Sequence, residues 1–186
     1  MKYLTIVLVL LTGISVSAQP ISKKALFIGN SYTYVNNLPQ MAADVAASAG
    51  DTLFFDSNSI GGYTFQQHSV NATTLSKIAA GNWDFVVLQE QSQYPSFPIG
   101  QVEAEVFPYA IKLDSLITIS NPCAETVFFM TWGRKNGDAS NCASWPPVCT
   151  YQGMDSLLNL RYRMMADSND AIVSPVGAVW HYIRQN

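Results

Sequence analysis

Two hydrophobic rhythms alternate along this chain. Short, nearly unbroken apolar runs occur at 25–28, 52–56, 84–89, 125–132 and 171–176. Each is the length of a strand buried on both faces and too short for a helix. Between them lie longer segments with apolar positions three and four apart, at 38–49, 65–80, 101–120 and 151–167. That spacing predicts amphipathic helices. The first stops at Gly50 and the second at Gly81-Asn82, both good C-terminal signals, while Pro108 predicts a kinked start to the third. A last helix begins at 179–186. Strand and helix in strict alternation predict an α/β fold, a three-layer α/β/α sandwich around a five-stranded parallel sheet. No repeat or linker marks a second domain. Residues 133–150, rich in Asn, Ser, Pro and Cys, form a long connection expected to be functional or stapled.

The N-terminus reads differently. Lys2, an apolar core from Leu4 to Leu11 and the small-residue ending Val16-Ser17-Ala18 have the form of a secretory signal peptide over residues 1–18. The apolar run is too short to span a membrane. Residues 19–186 are then one domain, working in a secreted or periplasmic setting. An oxidising compartment permits a disulfide between Cys142 and Cys149, with Cys123 buried or unpaired. Asn71-Ala72-Thr73 matches a glycosylation acceptor pattern.

Charge narrows the partners. The formal net charge is -3, and removal of Lys2 with the leader makes it -3 - 1 = -4. With no basic cluster, nucleic acid is not an expected partner. The composition favours a small neutral molecule or a glycan. No Cys/His spacing indicates a metal site, and no cofactor is expected.

Chemistry concentrates where strands end. In a parallel sheet the carboxyl ends converge on one rim. The polar segments following strands here are Gly29-Asn30-Ser31, Gly61-Gly62, Gln89 to Gln93 and Trp132-Gly133-Arg134. Acyl transfer needs a nucleophile and donors aimed at an oxyanion. Ser31 offers the first, with an ordinary helix N-cap as its plainer role. Its own N–H, that of Gly61 or Gly62, and a glutamine amide offer the second.

The blocks Phe27-Ile28-Gly29-Asn30-Ser31-Tyr32-Thr33, Gly61-Gly62 and Val87-Leu88-Gln89-Glu90-Gln91-Ser92 resemble the SGNH (GDSL-like) hydrolase superfamily. The likeness is to the bacterial branch with Gly-Asn-Ser in place of Gly-Asp-Ser, and it spans essentially the whole mature chain. It implies a flavodoxin-like SGNH fold, Ser31 as nucleophile and Gly62, less readily Gly61, as an oxyanion donor. The third block diverges. An ungapped overlay sets Gln93 at the family's Asn and Gln91 at its Gly, leaving either amide as the further donor. Asn30 and Arg134 complete the candidate substrate-binding set, with a surface salt bridge as the plainer role of Arg134.

One part of the pattern is missing. The family carries its base in an Asp-x-x-His block near the C-terminus, but Phe65 and Ala178 stand three residues before His68 and His181. His68 reads as a helix-surface or second-shell residue and His181 as packing. The expectation is a domain truncated before that block. A complete member that binds without turnover is the alternative. The implied activity is a secreted serine esterase acting on small acyl esters, such as acetyl groups on carbohydrate. The alternative is a non-catalytic glycan- or ligand-binding domain, with Trp132, Trp145 and Tyr94 as stacking residues. A flavodoxin-like redox role fits poorly, since the first loop lacks a phosphate cradle.

Overall fold

The structure, a computed structural model, describes residues 19–185. The leader read over residues 1–18 lies outside them. Five strands form one sheet: β1 (Ser22–Gly29), β2 (Thr52–Ser59), β3 (Phe85–Leu88), β4 (Glu125–Phe129) and β5 (Ile172–Ser174). Their order is β2-β1-β3-β4-β5, and every pairing is parallel. The α/β sandwich expected from the alternating rhythms is the fold observed.

Connectivity decides which face each helix covers. Parallel crossovers are right-handed, so reversing direction across the sheet reverses the face. The link from β1 to β2 runs outward through α1 (Ser31–Tyr34) and α2 (Leu38–Ser48). The links from β2 to β3, β3 to β4 and β4 to β5 run the other way. They place α3 (Phe65–His68), α4 (Ala72–Ala79), α5 (Ile99–Glu105), α6 (Phe107–Ser120) and α7 (Tyr151–Asn169) on the face opposite α2. The main core lies under these helices. Leu26, Ile28, Val86, Leu88 and Phe128 pack there against Ile78, Leu113, Ile117, Met154 and Leu158. The alternate strand residues Ala25, Phe27, Val127 and Phe129 are buried toward the other side.

Two predicted helices are each broken in two. The segment at 65–80 splits because Asn71 caps a fresh helix, its side chain accepting from Thr74 N. This engages Asn71 in structure, and its Oδ1 also accepts from Asn58 Nδ2 at 3.0 Å. The segment at 101–120 splits at Val106, with Pro108 in the first turn of α6, where its missing N–H costs nothing. The last helix, α8, starts earlier than its periodicity suggests, at Val176, and runs to Gln185. The 133–150 connection is stapled by a Cys142–Cys149 disulfide, and Cys123 is exposed and unpaired rather than buried.

α8 is seated by a glycine. Gly177 N donates to Met130 O at 3.0 Å, and a Cβ at this position would lie 2.1 Å from Thr131 O. Backbone must move to admit it. Gly177→Ala is expected to destabilise the chain by roughly 2–3 kcal/mol, read from the urea midpoint, because overpacking against main chain cannot relax by a rotamer change. A midpoint equal to that of the parent chain would show that α8 is not held at this contact.

Candidate active site

Ser31 sits on a sharp turn between β1 and α1. Asn30 is the N-cap, its Oδ1 accepting from Tyr32 N at 3.2 Å. Beneath the turn lies Gln89, 1% exposed at the end of β3. Gln89 Oε1 accepts from Asn30 N at 3.0 Å and from Thr33 Oγ1 at 2.9 Å. Its Nε2 donates to Asn30 Oδ1 at 3.0 Å and to the Glu90 carbonyl. One buried amide thus holds both sides of the turn. A Cβ on Gly29 would fall 2.3 Å from Thr33 Oγ1 and 2.7 Å from Gln89 Oε1, so only glycine fits the approach.

The glycine turn after β2 is tied to the same frame. Ile60 N donates to Gly29 O at 3.1 Å, and Asn30 Nδ2 donates to Tyr63 O at 2.9 Å. Gly62 adopts φ +75°, a conformation that favours glycine, and the space on its Cβ side is open. Gly61 is packed more closely, 3.3 Å from Tyr34 Oη on its Cβ side. Both sides of the Asn30 amide are spent on this framework, so its side chain acts by shaping the turn.

The loop after β3 supplies side-chain donors. Gln91 Oε1 accepts from Gln93 N at 2.9 Å, and Gln93 Oε1 accepts from the Arg134 guanidinium. With each carbonyl oxygen engaged, the NH₂ groups of Gln91 and Gln93 remain the available donors. Arg134 is half-buried and also donates to Asp138 Oδ1 at 3.1 Å and Ser92 Oγ at 3.4 Å. Its role is to lock the stapled loop onto the β3 loop, more than the surface bridge its plainer reading suggested.

Beside Ser31 opens a cavity of about 470 Å³, lined by Tyr32, Val35, Leu38, Met41, Phe129, Trp132 and Val176 among others. Tyr32 and Trp132 stack at 5.0 Å between ring centroids, and Trp180 leans on Trp132 at 6.4 Å. The size and largely apolar lining suit a small organic ligand.

Solved structures share this fold. A candidate SGNH hydrolase from Slackia heliotrinireducens superposes with a TM-score of 0.68 at 22% identity, over 87% of this chain and 83% of that one. A DUF4886 family protein from Bacteroides uniformis gives 0.69 at 16% identity, over 84% and 68%. A variant acetyl xylan esterase from Geobacillus stearothermophilus gives 0.51 at 15% identity, over 88% and 81%. The fold is that of the SGNH/GDSL-like hydrolases. No family model and no curated sequence matches the chain.

Within this SGNH fold both histidines are occupied. His68, expected at a helix surface or in a second shell, is 0% exposed. Its Nε2 is 2.9 Å from Gly29 O, an acceptor only, so Nε2 carries the proton. Nδ1 then accepts from Thr74 Oγ1 at 2.8 Å, whose oxygen in turn accepts from Asn58 Nδ2 at 2.7 Å. Burial lowers its pKa, opposed by the bond to Gly29, and keeps the ring neutral. His68 braces the turn from below.

His181 is more than a packing residue. Its Nδ1 donates to Asp155 Oδ2 at 2.8 Å, while Asp155 Oδ1 accepts from Gly133 N at 2.9 Å. Twenty-six residues separate the pair, so no local spacing reveals it; the contact of α7 with α8 creates it. Gln185 Nε2 meets His181 Nε2 at 2.6 Å, and the imidazole lines a separate cavity with Ser156 and Asn159. Among the described residues, no group is hydrogen-bonded to Ser31 Oγ.

Proposed function

We propose that the chain is a serine ester hydrolase of SGNH type, secreted or periplasmic, acting on small acyl esters through Ser31. One observation carries the reading. The turn bearing Ser31 is joined to the glycine turn after β2 and to the end of β3 by the hydrogen bonds of Gly29, Asn30 and Gln89, which gathers these segments on one rim. Ser31 Oγ attacks the ester carbonyl, and the developing oxyanion receives the N–H groups of Ser31 and Gly62 and a glutamine NH₂. The alcohol leaves with a proton, and water then releases the acid from the acyl-enzyme.

Ser31 needs a base to lose its proton. His68 and His181 are bonded to Gly29 O and Asp155, so the reading assigns the base to neither of them. The neighbouring acetyl xylan esterase supports acetylated carbohydrate as the first substrate class to try. The test is a fluorophosphonate probe followed by peptide mass spectrometry, on the chain expressed with whatever its reading frame encodes beyond Asn186. A phosphonyl adduct on Ser31 is expected. Its absence sinks the catalytic claim.

A second reading draws on the unpartnered Ser31 Oγ and the stacked Tyr32 and Trp132 beside it. It makes the domain a glycan- or ligand-binding module without turnover. Binding on a glycan array with no Ser31 adduct is its signature.

A further inference from the structure

Glu90 is a carboxyl with 0% exposure, one residue beyond the amide that holds the Ser31 turn. Its Oε1 accepts from Phe65 N at 3.1 Å and also from Gln91 N, and its Oε2 lies 3.0 Å from the same Phe65 N. Phe65 opens α3, three residues after Gly62. Gln91 carries one of the two candidate oxyanion amides. The Glu90 carbonyl accepts from Gln89 Nε2, which joins this residue to the Asn30 framework as well.

Capping accounts for one half of the arrangement, because the α3 capping box leaves Phe65 N–H to Glu90. Thr64 and Gln67 already form a complete capping box at the start of α3. What Glu90 adds is a single atom touching both the glycine-turn side and the β3-loop side. An apolar residue here would leave two inward N–H groups unpaired, a poor trade inside a protein.

We propose that Glu90 is a positioning residue for the oxyanion hole, its Oε1 bridging the Phe65 and Gln91 amides so that Gly62 N–H and the Gln91 side chain converge with Ser31 N–H. This rests on Ser31 being the nucleophile. Oε1 reaches both donors, while Oε2 shares only Phe65 N–H. Burial pushes the Glu90 carboxyl up to about 8, consistent with an acceptor that works as a neutral acid.

The test compares Glu90→Leu and Glu90→Gln, with Ser31→Ala as reference, in the full-length protein. A p-nitrophenyl ester gives kcat and KM separately, and a fluorophosphonate gives the rate of Ser31 labelling. Glu90→Leu is expected to lower kcat and the labelling rate by roughly 100-fold with KM within about 3-fold, the size of losing an oxyanion donor. Glu90→Gln keeps a carbonyl oxygen at Oε1 for both amides and loses only the Oε2 share of Phe65 N–H, so it is expected to retain kcat within about 5-fold. If Glu90→Leu does not fold, the wild-type chain still decides. Amide NMR of the phosphonylated protein is expected to show Phe65 N–H and Gln91 N–H shifting together with Gly62 N–H. A kcat unchanged in Glu90→Leu, a loss confined to KM, or a Phe65 amide indifferent to the adduct overturns the proposal. Wild type equal to Ser31→Ala overturns the nucleophile reading instead.

Discussion

On the proposed esterase reading, ester turnover is expected to fall by roughly 1,000-fold or more in Ser31→Ala, the scale of losing a nucleophile. Stability should barely move. Ser31 Oγ has no hydrogen-bond partner among the described residues, and Ser31 lines an open cavity. The unfolding midpoint is therefore expected within about 0.5 kcal/mol of wild type, as for substitutions away from packed or bonded features. That pairing of a large kinetic loss with an unchanged melt separates chemistry from folding. The measurement is initial rates on an activated acetyl ester, alongside urea unfolding of the same samples. Equal rates in the two proteins would mean that the ester is hydrolysed elsewhere or not by this chain.

The second large effect concerns pH and stability. Burial raises the Glu90 carboxyl to about 8 from 4.5, against the opposing pull of the Gln91 and Phe65 N–H groups. The native state then holds its proton over a range where the unfolded chain has lost it. Stability from this group is complete below pH 4.5 and drains away as pH rises toward 8. Over the whole range the difference is at most about 5 kcal/mol. His68 runs the other way: its lowered pKa means that it adds stability above about 6.5 and loses it on acidification. Asp56, held down chiefly by Lys77, and Asp84, held down chiefly by Lys23, act only in the acid range. Urea unfolding at pH 5 and pH 8.5 in wild type and Glu90→Gln isolates the carboxyl, since His68 contributes equally to both. Wild type should lose several kcal/mol more than the variant across that interval. Parallel profiles would show that Glu90 does not titrate there.

These effects depend on contacts with different standing in the sequence. The strands were legible because a parallel strand buried on both faces needs an unbroken apolar run, as at Ala25–Leu26–Phe27–Ile28. The helix ends were legible where a capping residue or glycine stops them, at Gly50 and Gly81. The breaks at Asn71 and Val106 were harder, because an amphipathic stripe continues across them and only the cap or the proline turns the backbone. Gln89 lay within the polar segment read from the sequence. Its selection over Gln91 and Gln93 as the buried brace came from its depth beneath Asn30.

What the sequence by itself determined is the local grammar: an α/β alternation, a Gly-Asn-Ser turn after the first strand, a Gly-Gly turn after the second and amides after the third. Each follows from spacing within a dozen or so residues. Only the tertiary structure decided how these pieces serve one another. The Gly29–Ile60, Asn30–Tyr63 and Glu90–Phe65 bonds join segments tens of residues apart, and Asp155 meets His181 only because α7 and α8 pack together. Side chains that pair across the fold leave no period in the chain, since their separation is set by the length of the crossovers between them. The turn at Ser31 could be read from its neighbours in sequence; the braces beneath it belong to neighbours in space.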